Sequence, residues 1–203
     1  MAKKKGIPET IELEVNETLW ERVFTVAPLV IIGSRELDGS YDLAPKHMAM
    51  QLGRSGFFGF VCTPRHSTLR NVEREGVFTV SYPRPTQVVL ASLAATPRCE
   101  EGQKTSLEAL PTFPSTRIDG RFVKDAHLYL ECELERIVGG LGSESLVIGQ
   151  ILVAHVPERD LRRLDRDDSE VIHSSPLLAY LSPGRYAQIR TSYSFPFPKE
   201  FKR

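Results

Sequence analysis

Apolar and polar positions along the chain fall into short runs, most of them with the length and period of β-strands. From Pro28, "PLVIIGSRE" is β-branched and ends in "LDGSYD", where Asp38-Gly39 suits a tight turn because glycine accepts positive φ without steric cost. "GFFGFVC" at 56–62 and "GVFTVSYP" at 76–83 are aromatic and β-branched, with turn residues at each end. "HLYLECELERIV" alternates, with Leu128, Leu130, Cys132 and Leu134 on one face and Tyr129, Glu131, Glu133 and Glu135 on the other, which predicts a strand with one wet face. "GGLGSES" then makes a turn, and "LVIGQILVAHV" is apolar on both faces, as a central strand is.

Helical patterns are fewer and shorter. Between the strands at 56–62 and 76–83, Ser67 and Thr68 are expected to cap a helix "TLRNVERE" that Gly76 stops. "TQVVLASLAAT" at 86–96 predicts a second helix, apolar enough to need cover on most sides. "PRCEEGQKTSLEALPTFPSTRIDG" at 97–120 is proline-rich and polar, a long excursion over a surface or toward a partner subunit, with one turn of helix at "SLEAL". "PERDLRRLDRDD" reads as a charged helical piece, followed by "PLLAYLSPGRYAQI" and an irregular tail. Strands outnumber helices and do not alternate regularly with them. The expected fold is therefore mainly β, a closed or nearly closed barrel with short peripheral α-helices.

Length makes this one domain of about 200 residues, read as an N-terminal tail at 1–19, a domain at 20–190 and a C-terminal tail at 191–203. Twenty-six basic residues balance twenty-six acidic ones, so the overall field favours neither nucleic acid nor an anionic membrane, and any anion must be recognised locally. No apolar run approaches the roughly 20 residues of a membrane span. The basic start lacks an apolar segment behind it, which gives a cytoplasmic expectation.

Candidate chemistry narrows quickly. Cys62 and Cys132 fall in strand patterns as small buried residues, while Cys99 stands in a polar loop beside Arg98, a weak setting for a reactive thiolate. The five histidines show neither HxH nor HExxH spacing, so no metal is expected; His127 and His155 lie in strand patterns as structural residues. "DRDDSE" reads as a solvated helix end, and neither GxSxG nor GxGxxG occurs. What remains is "CTPRHSTLRNVEREG". A helix start leaves amides unpaired and carries about half a positive charge. Thr63, Ser67 and Thr68 add hydroxyls there, Arg65 a fork of N–H groups and Asn71 an amide. The segment reads either as a capped helix or as an anion cradle. "DGSYDLAPKHMAM" at 38–50, a loop directly after a strand, is a second candidate ligand contact.

The order "PLVIIGSRELDGSYDLAPKHM", then "GFFGFVCTPRHSTLRNVEREGVFTVSYP", resembles the flavin reductase-like family with the FMN-binding split barrel, which includes flavoredoxins. "DLAP" and "STLRN" carry most of the likeness, which extends over about residues 20 to 190. The resemblance implies a Greek-key split barrel. It implies FMN, in preference to FAD, with the ring along Leu43, Ala44, Pro45, Lys46, His47 and Met48, and the phosphate near Cys62, Thr63, Arg65, Ser67, Thr68 and Asn71. Tyr180, Arg185 and Tyr186 would approach the flavin as well. A homodimer with flavin near its interface is implied, with NAD(P)H as a candidate reductant.

Two departures from the family pattern stand out. Asp42 replaces the usual asparagine, a change a backbone contact tolerates, and "GSES" at 142–145 stands where many reductases carry "GDH". The second moves the expectation toward a flavoredoxin-like protein with tightly held FMN. The leading function is an FMN-dependent oxidoreductase passing hydride or electrons through the flavin; the alternatives are a non-enzymatic electron carrier serving a partner protein and an oligomeric scaffold without cofactor. Lys46 and His47 are either polarising or proton-donating groups or solvent-facing loop residues, and no catalytic acid is assigned.

Overall fold

The computed structural model describes residues 10–15, 19–96, 104, 107 and 109–198. Cys99 and most of 97–108 lie outside these residues.

Seven antiparallel strands form the main sheet, in the spatial order β3-β2-β6-β9-β10-β5-β4. They are β2 (Val30–Arg35), β3 (Tyr41–Lys46), β4 (Ala49–Leu52), β5 (Phe57–Cys62), β6 (Val77–Tyr82), β9 (Leu128–Leu141) and β10 (Glu144–His155). The sheet curls into the half-barrel of a split barrel. A three-stranded sheet, β1 (Thr25–Pro28), β11 (Leu177–Ser182) and β12 (Arg185–Ile189), and a hairpin, β7 (Thr112–Pro114) and β8 (Arg121–Val123), complete it.

The apolar runs are explained by two covered faces. Val30, Ile32, Phe58, Phe60, Phe78, Val80, Leu130, Cys132 and Val147 pack on one face, closed by Leu69 and Val72 of helix α1 (Ser67–Glu75). Ile31 and Leu43 point the other way, to Val123 of β8 and to Ala91 and Ala94 of and after helix α2 (Val88–Leu93). A strand buried on both faces must be apolar at consecutive positions, which is why β2 reads as a continuous run. β3, by contrast, is an edge strand, and an edge tolerates Pro45 because the missing N–H need not join a ladder.

Several expectations change. The "DGSYDLAPKHMAM" segment is not a loop but β3 and β4, because β2 and β5 supply ladder partners. The end of the 97–120 excursion supplies β7 and the turn of the β7–β8 hairpin, and Phe122 and Val123 of β8 directly after it are fully buried. Glu131 is fully buried rather than on a wet face: the β7–β8 turn folds over it, and its carboxylate accepts from the Thr116 hydroxyl at 2.7 Å and from the Thr116, Arg117 and Ile118 amides at 2.8, 2.7 and 3.1 Å. "PERDLRRLDRDD" forms only a 3-10 turn, Glu158–Asp160, because Asp160 is drawn to Arg84 and Ser175; helix α3 (Asp168–Ser174) begins later, with Asp167 as its cap. α2 buries Ala91 but leaves Val89 exposed. His155 ends β10 and pairs with Glu131 at 3.0 Å, while His127 lies just before β9.

Candidate functional site

A cleft of about 440 Å³ opens where β3, the start of α1 and the end of α2 converge. Its wall along β3 is Ala44 and Pro45, with Lys46 beyond; Ala94, Ala95 and Thr96 face them from the end of α2. Arg65, His66, Ser67, Thr68 and Arg70 close the end at α1, and Lys104 reaches in from the segment after α2.

The local sequence builds the phosphate-sized end in a particular way. α1 begins at Ser67, its N-cap residue is His66, and the His66 side chain makes no capping hydrogen bond. Ser67 and Thr68 therefore do not cap. They lie inside the first turn, past the cap position, and donate their hydroxyl protons to Asp42 Oδ2, each at 3.3 Å. Gly76 ends the helix as expected, at φ 71°.

Asp42 is the buried centre of this corner. Besides the two hydroxyls it holds Lys104, whose Nζ lies 2.9 Å from Oδ1 and also donates to the carbonyl oxygens of Leu43 and Ala94 at 3.3 and 2.9 Å. The Asp42 side chain is thus engaged within the protein, by Ser67, Thr68 and Lys104. Among the described residues, four cationic ones, Lys46, Arg65, Arg70 and Lys104, line the cleft against the one carboxylate of Asp42. With an uncapped helix start beside them, this end suits an anion.

Of the residues expected at a cofactor, Ala44, Pro45, Lys46, Arg65, Ser67 and Thr68 line the cleft together. Thr63 is not among the lining residues; its Oγ1 accepts from the Arg65 amide at 3.4 Å. His47 follows β3 and stacks on Tyr180 with ring centroids 4.5 Å apart; burial, then Lys46, lowers its pKa. Met48 is exposed, whereas Leu43 and Cys62 are buried in the two cores. Burial pushes the Cys62 thiol up, which fits a packing role. Asn71 is turned from the cleft: its amide donates to Ser34 Oγ at 3.2 Å and its oxygen accepts from Arg74 at 3.2 Å.

Sequence reasoning passed over Asp42 as a side chain, and His66, Arg70, Ala94 to Thr96 and Lys104 altogether. The position of His66 directly before a helix was a usable signal. For Lys104, 62 residues from Asp42, there was none. Among the described residues no group of His, Cys, Asp and Glu could hold a metal ion, and no helix is long and apolar enough to cross a membrane.

Residues 23–189 match the family model of the flavin reductase like domain. The chain belongs to the flavin reductase-like family. Solved structures of similar fold include nitrilotriacetate monooxygenase component B from Bacillus cereus, at TM-score 0.76 and 20% identity, covering 92% of this chain and 100% of that one. Flavoredoxin from Methanosarcina acetivorans has TM-score 0.74 and 18% identity over 95% and 97% of the two chains. An FMN-binding protein from Thermus thermophilus, solved with 1-cyclohex-2-enone bound, has TM-score 0.73 and 16% identity over 93% and 99%. No curated protein matches this family member by sequence.

Proposed function

We propose that the chain is an FMN-binding oxidoreductase of the flavin reductase-like type, passing hydride or electrons through bound FMN. The observation that carries this reading is the two-ended cleft. One end is cationic and meets an uncapped helix start; the other has the small side chains of Ala44, Pro45, Ala94 and Ala95.

That donor set fits FMN. Lys46, Arg65 and the start of α1 would neutralise the phosphate, and the open edge of β3 would offer backbone groups to the rim of the ring. When bound, FMN supplies reversible acceptance of a hydride or of single electrons. The protein binds and orients: Asp42 fixes Ser67, Thr68 and Lys104 in place, and the His47–Tyr180 stack flanks Lys46. The exposed apolar side chains Phe24, Val26, Met48 and Met50, on and beside the neighbouring strands β1 and β4, support a homodimer.

One observation favours the electron-carrier reading. Glu144, at the start of β10 in the "GSES" turn, sets a negative charge close enough to act on Cys62 and His66, where the related reductases carry a histidine. The histidine that the family pattern sets near a nicotinamide is thus replaced, which removes one contact for a dinucleotide reductant. The test is the visible spectrum of the purified protein reconstituted with FMN, followed by anaerobic addition of NADH or NADPH. A bound-flavin spectrum bleached by nucleotide supports the oxidoreductase, bound flavin that neither nucleotide bleaches supports the carrier, and no uptake of FMN overturns both.

A further inference from the structure

Within the cationic end of the cleft stands an imidazole, His66, whose charged form is disfavoured by desolvation and by a neighbouring lysine. His66 is the N-cap residue of α1, with extended backbone at φ −80° and ψ 139°. Its Nδ1 lies 3.4 Å from Lys46 Nζ. An ammonium can only donate, so Nδ1 is the acceptor of this pair and the imidazole carries its single proton on Nε2. Cys62 Sγ lies 4.0 Å from the same nitrogen.

The charged and titratable groups around the ring come from every neighbouring element. Lys46 ends β3, Cys62 ends β5, Glu144 opens β10, and Asp42 and Lys104 stand behind α1, with Arg65 and Arg70 on either side in sequence. Burial and Lys46 lower the pKa of His66; Glu144 opposes them, Lys104 adds to them, and Asp42 opposes. An arriving dianion reverses this balance.

Resting on the FMN reading, we propose that His66 recognises the flavin's phosphate by taking up a proton as the phosphate binds. Lys46 turns its ammonium from Nδ1 to the phosphate; Nδ1, relieved of that donor, takes one proton from solvent and donates it to a phosphate oxygen. One proton enters the complex, no covalent bond of protein or flavin breaks, and no electron moves. Selection of the phosphorylated flavin over riboflavin is thereby coupled to pH. FMN affinity falls as pH rises from the free-state to the bound-state pKa of His66, by up to about tenfold per pH unit, and levels off above the bound-state value.

The experiment is titration calorimetry of the full chain with FMN and with riboflavin at pH 7.5, in buffers of different ionisation enthalpy, on wild type and His66→Gln. At that pH the phosphate is already dianionic, its second pKa being about 6, so its own ionisation contributes little. Wild type is expected to take up roughly half a proton or more per FMN, riboflavin to bind without uptake, and H66Q to bind FMN more weakly without uptake. FMN bound without proton uptake, or equal uptake in H66Q or with riboflavin, overturns the role of His66 and leaves the FMN reading standing. Absence of any flavin binding overturns both. The riboflavin comparison needs no variant, so the result does not depend on H66Q folding.

Discussion

The Asp42 carboxylate accepts the Thr68 hydroxyl at 3.3 Å across 26 positions of sequence, tying the edge strand β3 to the first turn of α1. Both residues are 2% exposed. The two walls of the cleft are thus joined by a polar contact inside the protein, and the same carboxylate carries Lys104.

Removing that carboxylate should be costly. Asp42→Ala leaves the nearly buried Lys104 ammonium without its counter-charge, and unfolding stability should fall by about 3 kcal/mol in urea denaturation. Asp42→Asn keeps an acceptor for the hydroxyls and adds one net positive charge to the cleft. FMN should then bind roughly three- to tenfold more tightly, as read by quenching of flavin fluorescence; unchanged or weaker binding would remove Asp42 from the electrostatics of the site.

Arg65 and Asn71 should separate into different roles. Arg65→Ala should weaken FMN roughly tenfold and riboflavin little, since the guanidinium lines the cleft and pairs best with phosphate. Asn71→Ala should leave both affinities nearly unchanged while lowering stability by about 1–2 kcal/mol, because it strips partners from buried Ser34 and from Arg74. Parallel titrations and melts decide between these assignments.

Gly33 has the least room for a side chain of the glycines in the main sheet. A Cβ there would stand 2.3 Å from Thr79 Oγ1 and 2.5 Å from the Arg121 carbonyl oxygen, which Thr79 already uses as its hydrogen-bond acceptor at 2.6 Å. Gly33→Ala must push β8 off β2, and thermal unfolding should show a loss of roughly 1–3 kcal/mol. A variant as stable as wild type would mean that β8 does not pack there in solution.

Glu131 predicts acid lability. Burial alone would raise its carboxyl, but the hydrogen bonds of the Thr116 hydroxyl and amide, the Arg117 amide and His155 outweigh burial and bring it down to about 2. The unfolded value is near 4.5. The folded pKa is the lower one, so this stabilisation is fully present above pH 4.5 and is lost as pH falls toward 2. Its size is on the order of 3 kcal/mol. Urea midpoints measured between pH 7 and pH 3 should drop for wild type and drop less for Glu131→Gln, which starts lower. Parallel pH curves for the two proteins would refute the assignment.

Local pattern was enough for the elements whose partners lie within their own sequence. Aromatic and β-branched runs marked β5, β6 and β10, alternation marked β9, Gly76 marked the end of α1, and Asp38-Gly39 marked the turn before β3, because composition, period and backbone freedom are properties of neighbouring residues. "DLAP" and "STLRN" likewise suggested Ala44, Pro45, Ser67 and Thr68 for one site through resemblance, and these four line one cleft. Tertiary structure alone decided the polar interior. Glu131 looks solvated by its period and is buried because Thr116, Arg117 and Ile118 fold over it; Ser67 and Thr68 look like caps and instead serve Asp42; Lys104 gives no local sign of belonging to the site. The reason is physical: burial of a charge depends on the partners that distant segments deliver to it, and no periodicity of its own strand or helix encodes them.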